Sequence, residues 1–103
     1  MLLKLDYDRH TDVPTLLRAA ALMRRAGYRI RWWREEISPS GRGRHVVAHI
    51  SPAPSGPMEV VALQAVLGSD PFREACNAMR VRALPSLPRY WRRRWNVLYR
   101  RIS

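Results

Sequence analysis

A chain of 103 residues, 47% of them hydrophobic, has enough material for one two-layer core and is not a disordered polymer. Its 19 basic residues against 8 acidic ones give a formal charge of +11, and since Lys4 is the sole lysine the excess is arginine, which stacks on bases and grips phosphate in bidentate fashion. A lone Cys76 excludes an intramolecular disulfide and a cysteine-based zinc site, while the absence of a membrane-length apolar run and of a signal-peptide layout leads us to expect an intracellular, cytoplasmic protein with no membrane partner.

Leu2 to Asp8 alternates, with Leu3, Leu5 and Tyr7 on one side and Lys4, Asp6 and Asp8 on the other. This predicts a strand carrying two carboxylates on one face. Like charges that close repel unless a cation lies between them, and hard divalent cations are held by one or two carboxylates plus substrate phosphates. The competing assignment makes Asp8 a turn residue or helix cap. Asp12 as N-cap and Pro14 in the first turn predict a helix over residues 13–26, with Val13, Leu16, Leu17, Ala20 and Met23 inward and Gly27 as its stop.

Tyr28 to Ile37 reads as a long strand of aromatic and β-branched residues alternating with charge. Trp32 and Trp33 point to opposite faces, so only one is exposed, and an exposed aromatic beside arginines suits a stacked base. Ser38-Pro39-Ser40-Gly41-Arg42-Gly43 then turns the chain into Arg44-His45-Val46-Val47-Ala48-His49-Ile50. The glycines permit a sharp turn and close approach to a ligand, and the arginines add positive charge, although solvated hairpin loops look the same. Period two puts Val46, Ala48 and Ile50 in the core and leaves His45, Val47 and His49 exposed.

Pro57 opens a helix over residues 58–67 with Val61, Ala62, Ala65 and Val66 inward, ended by Gly68. Asp70-Pro71 opens another in which Phe72, Ala75, Cys76 and Met79 form the inner face, making Cys76 packing rather than a nucleophile. Arg80 to Leu84 alternates and supplies a fourth strand. The order β-α-β-β-α-β predicts an α+β, ferredoxin-like, RRM-type two-layer sandwich over residues 1–84. Residues 85–103 form a basic C-terminal extension in which Trp91, Trp95, Leu98 and Ile102 fall on one helical stripe, although Asn96 to Tyr99 also fits a short strand. For this tail, stapling to the core with phosphate contact ranks first and membrane contact last.

Asp6-Tyr7-Asp8 at a strand end, followed by Ser40-Gly41-Arg42-Gly43-Arg44-His45-Val46, resembles the first two motifs of the archaeo-eukaryotic primase (primase-polymerase) superfamily. The run from Asp70 through Arg80-Val81-Arg82-Ala83-Leu84-Pro85 is similar to a later segment of some members. The resemblance implies a minimal RRM-like palm, with Asp6, Asp8 and His45 catalytic and Mg²⁺ or Mn²⁺ on Asp6 and Asp8. It further implies that Ser40, Gly41, Arg42, Gly43, Arg44 and His45 bind the nucleotide triphosphate. Members usually carry an extra α/β module and a third acid on a later strand. Here the late candidate for a third metal ligand is Asp70, which also reads as a helix cap, and Glu35 is a weaker substitute.

Two functions compete. One is metal-dependent nucleotidyl transfer in DNA replication or repair, on single-stranded or primer-template nucleic acid with nucleotide triphosphates and a replication partner subunit. The other is a non-catalytic RRM-like module that binds single-stranded DNA or RNA through Arg31, Trp33, His49, Arg80, Arg82, Arg92, Arg93 and Arg94. A weaker third is an interaction subunit whose basic tail docks an acidic protein. His45 and His49 are four apart, so the His-hydrophobic-His pair of rolling-circle initiators is missing.

Overall fold

Alternation does in space what it promised for the first strand, β1 (Leu2–Asp8), where Leu3, Leu5 and Tyr7 are buried on one side. They meet Val46, Ala48 and Ile50 of β3 (Gly43–Ser51), the centre of a three-stranded antiparallel sheet in the order β1-β3-β2, with β2 spanning Arg29–Ile37. The computed structural model describes residues 2–38 and 41–96, apart from the side chains of Tyr90, Trp91 and Arg93. Over these residues the fold is α+β. Helices α1 (Leu16–Arg25) and α2 (Pro57–Val66) pack on β2 and β1 respectively, and Ala19, Met23, Val60, Leu63 and Leu67 complete the core.

The helices form near the predicted spans, but their inward faces agree only in part: Met23 and Val61 are buried as expected, and most of the other predicted positions are not. Helix α1 starts late because Thr15, not Asp12, is its N-cap, its hydroxyl accepting from the Arg18 amide at 3.1 Å. Ala19 and Met23 are buried and Leu16 and Leu17 lie outside. Helix α2 buries Val60, Val61, Leu63 and Gln64 and leaves Ala62, Ala65 and Val66 exposed.

The third helix, α3 (Pro71–Arg82), is the largest departure. Its predicted inner stripe is solvent-facing, Phe72 being 78% and Met79 67% exposed, whereas Arg73, Glu74 and Asn77 are buried and Cys76 is half-buried. The helix also runs through Arg80 to Arg82, where a fourth strand was expected, and is followed by a 3₁₀ turn, Leu84–Ser86. Asp70 caps it, Glu74 sits in its first turn and Arg80 and Arg82 in its last, so both ends complement the helix dipole; Pro85 lies just beyond. The β-α-β-β-α-β order is therefore not completed among the described residues. A short helix, α4 (Arg89–Arg94), follows, and Trp95 packs against the core. Leu98, Ile102 and the Asn96 to Tyr99 strand alternative extend outside the described residues.

The buried polar face of α3 closes the edge that a fourth strand would have paired. Along β1 the Lys4 amide donates to Gln64 Oε1 (2.9 Å), the Lys4 carbonyl accepts from Arg73 Nη1 (2.6 Å), the Asp6 amide donates to Ser69 Oγ (2.9 Å), and the Asp6 carbonyl accepts from the Asp70 amide (2.6 Å). Glu74 ties these groups together, accepting from Arg73 Nη1 (2.5 Å), Ser69 Oγ (2.7 Å), Gln64 Nε2 (2.7 Å) and Asn77 Nδ2 (3.1 Å). Asn96 joins from beyond α4 by donating to Gln64 and accepting from Arg73.

Losing Glu74 would remove the carboxylate that neutralises the buried Arg73 guanidinium and would take one acceptor each from Ser69, Gln64 and Asn77. Glu74→Ala is expected to cost about 3–5 kcal/mol of stability in urea unfolding. Phe72→Ala, on the exposed side, should cost no more than about 0.5 kcal/mol. The opposite order would mean that α3 sits with its apolar face inward.

Candidate functional site

The registers of β1 and β2 against β3 turn the outer face of the sheet, the one away from the helices, into four cross-strand rows. Asp8 lies opposite Gly43; Asp6, His45 and Glu36 form the next row, Lys4, Val47 and Arg34 the third, and Leu2, His49 and Trp32 the last. An acidic end thus passes through a cationic row to an aromatic one.

At the acidic end His45 Nε2 stands 3.5 Å from Asp6 Oδ1. The adjacency expected of Asp6 and His45 is present, but the expected accessibility of His45 is not: it is only 4% exposed, because a central-strand residue is flanked on both sides by cross-strand neighbours, here Asp6 and Glu36. Val47 is buried too, and His49 is half-buried. Glu36, not the Glu35 considered from sequence, is the acid that shares this row. Glu35 faces the other way and pairs with Arg44 Nε at 3.6 Å. Parity along β2 would have singled out Glu36 had its register with His45 been known.

Burial is the main influence on Asp6 and raises its carboxyl above the ordinary 3.8, with His45 and Arg73 pulling it down and Asp70 and Glu74 pushing it up. Asp8 differs: it is exposed, its Oδ1 accepts from the His10 amide (2.8 Å) and the Thr11 hydroxyl (3.1 Å), and these bonds hold its carboxyl below the ordinary value. The strand reaches Asp8, yet the side chain serves the following turn. Asp70 is the helix cap, its Oδ1 accepting from the Phe72 amide at 3.2 Å. Among the described residues no three His, Cys, Asp or Glu side chains gather in a metal-ready group.

The glycines have structural duties of their own. Gly41 takes φ +70°, the left-handed region, in the hairpin turn. At Gly43 a Cβ would collide with the Tyr7 carbonyl oxygen, so only glycine lets β3 approach β1 at Asp8. This close approach makes one wall of a cleft of about 540 Å³ between the hairpin and the loop after β1, lined by cations Arg9, Arg42 and Arg44 as well as Asp8, Asp12 and Glu35. A neighbouring hollow of about 440 Å³ is lined by Asp8, Arg9, His10 and Arg42. Arg9 and His10 escaped the sequence reading, although their position directly after Asp-x-Asp was a signal. Arg44 and His45, adjacent in sequence, project to opposite sides of the sheet, so the suggested phosphate ligands divide between the cleft and the outer face; Ser40 lies outside the described residues.

The remaining suggested residues are dispersed. Trp33 lies on the helix side of β2, packed against the core, and Trp32 is the exposed tryptophan, 44% accessible beside His49. A β-bulge between Ile30 and Trp32 causes this by inserting Arg31, itself exposed, and reversing the parity of the rest of β2. Arg80 donates to Asn77 Oδ1 (3.1 Å) and Arg92 to the Leu87 carbonyl (3.0 Å), while Arg82 is exposed at the end of α3 rather than on a strand and Arg94 is exposed at the end of α4. The side chain of Arg93 lies outside the described set. No family model, curated protein or solved structure matches this chain.

A carboxyl raised in the fold holds its proton more tightly there than in the unfolded chain. The stability linked to Asp6 is therefore fully present below 3.8 and is lost as pH rises through the folded value. Asp6→Asn removes this loss. The variant should gain on the wild type in unfolding free energy as pH climbs from 3.8, then keep a constant lead, and a lead that shrinks on going to neutral pH would contradict the desolvated carboxyl.

Proposed function

We propose that this chain is a nucleic-acid-binding, primase-polymerase-like palm that performs metal-dependent nucleotidyl transfer at the Asp6–Asp8 end of its sheet. The observation that carries the reading is the β1–β3 register, which sets Asp6 against His45 and Asp8 against Gly43, so that the acidic pair and the glycine turn, distant in sequence, share one sheet end. The cleft next to it supports the same reading, because a triphosphate needs several cations and Arg9, Arg42 and Arg44 line it, alongside Asp8, Asp12 and Glu35.

The donor set suits a cation shared between protein and substrate. Two carboxylates on one face of β1 are the kind of donor pair that holds an ion whose shell is completed by water and nucleotide phosphates. Mg²⁺ or Mn²⁺ held there would stabilise charge on the transferring phosphoryl group and favour the 3′-oxygen as nucleophile. In this reading Asp6 and Asp8 are the metal ligands, Arg42 and Arg9, which line the cleft beside Asp8, neutralise the triphosphate, and His45, inaccessible and turned to Asp6, orients that carboxylate. The 3′-hydroxyl gives its proton to water, and its oxygen bonds to the α-phosphorus as the bond to pyrophosphate breaks.

A non-catalytic single-strand-binding module is the second reading, favoured by the engagement of Asp8 in its turn and of Asp70 in its cap. Primer extension with Mn²⁺ separates the two. The wild type should add nucleotides, and Arg42→Ala, at an exposed turn residue, should lower incorporation by about a hundredfold while binding of a single strand is retained. A wild type that binds the strand and never extends a primer, alone or with its replication partners, refutes the enzyme and leaves the binding module.

A further inference from the structure

The far end of the outer face holds a group that nucleotidyl transfer does not use. Trp32 of β2 and His49 of β3 are register partners whose ring centroids lie 6.1 Å apart with 23° between their planes. The guanidinium carbon of Arg34 is 5.8 Å from the Trp32 ring centre. Trp32 is exposed because of the bulge at Arg31: an unbroken alternation from Ile30, which faces the core side, would have turned the indole inward. Bulges recur where a side chain has to be re-aimed beside a site.

We infer that Trp32 and His49 form a stacking site for an unpaired nucleobase of a single strand, with Lys4 and Arg34 in the adjoining row taking its phosphate. The inference rests on the nucleic-acid reading above and adds where the strand lies. Aromatic faces accept any base, which matches a platform with no acid in its own row or the next one; the acids begin one row further on, at Asp6 and Glu36. Neighbouring rows on a face are two residues apart, about 7 Å, so aromatic, cationic and acidic rows follow one another across the sheet in the sequence that a strand leading toward the acidic end requires. Arg34, over the indole ring, adds a cation to the stacking surface.

The test compares a fluorescently labelled oligodeoxyadenylate with an abasic strand of equal length and charge, each titrated with the full chain and followed by anisotropy. The wild type should bind the adenine strand about tenfold more tightly than the abasic one. Trp32→Ala should erase that preference and leave abasic binding unchanged, Trp32→Phe should keep most of it, and Arg34→Ala should weaken both strands, the adenine strand more. His49→Ala, which spares the indole, provides a second reading of the platform should Trp32→Ala fail to fold by circular dichroism. Wild-type binding with no preference for bases, or a preference that survives both alanine variants, overturns the stacking site and leaves the nucleic-acid reading standing. Failure of the wild type to bind either strand overturns both.

Discussion

The Glu74 carboxylate, buried and accepting from Arg73, Ser69, Gln64 and Asn77, is the constraint on which the rest of this structure depends. An edge strand exposes a row of amides and carbonyls that must find partners, and the usual solution is another strand. Here a helix corner supplies the partners one at a time, from Gln64, Ser69, Arg73 and the Asp70 backbone. Glu74 neutralises the arginine and fixes the directions of the other donors. A network of this kind is stable only when every member is satisfied, and no buried side-chain nitrogen or oxygen among the described residues is without a partner.

That closure also shapes the candidate site. The α2–α3 corner holds Asp6 through its own amide and carbonyl, so the carboxylate is set by groups on both sides of its peptide planes. It brings Arg73, Glu74 and Asp70 within electrostatic reach of Asp6, and together with His45 across the sheet these charges and burial determine how readily it ionises. Asp8, two residues on, lies past the corner and is free of that influence; its carboxylate is governed by the local turn instead. Two acids that look equivalent in the sequence are therefore unlike in chemistry. A cation shared by them would meet one desolvated carboxylate and one solvated carboxylate that is already hydrogen-bonded.

The sheet itself is an ordered surface. Its central strand carries His45, Val47 and His49 in succession, and the edge strands add acids, then cations, then an indole and a leucine to the same rows. Two local irregularities produce that order. Gly43 admits the close approach that aligns the β1 acids with the hairpin, and the bulge at Arg31 brings Trp32 into the row of His49. Neither is a mark of catalysis by itself. Both place chemistry that a plain alternating hairpin would have placed elsewhere.

Local chemistry in the sequence was enough to find the first three strands, the three long helices near their observed limits, the cap at Asp70 and the inward faces of β1 and β3, because period, cap and turn signals act within a few residues. It also identified Asp6, Asp8 and the Gly41–His45 segment as a group to examine. The inward face of α3 was beyond it: a stripe of Phe72, Cys76 and Met79 reads as core until the unpaired edge of β1 is known, and meeting that edge with Arg73 and Glu74 outweighs burying the apolar stripe. The choice between Trp32 and Trp33 turned on a one-residue bulge, to which alternation is blind. The burial of His45 and its pairing with Asp6 depended on strand order and register, which bring together residues 39 positions apart and have no local signature. Composition determined that this protein is cationic; only the tertiary structure decided which of its charges face each other, because that is set by contacts between segments that carry no record of one another.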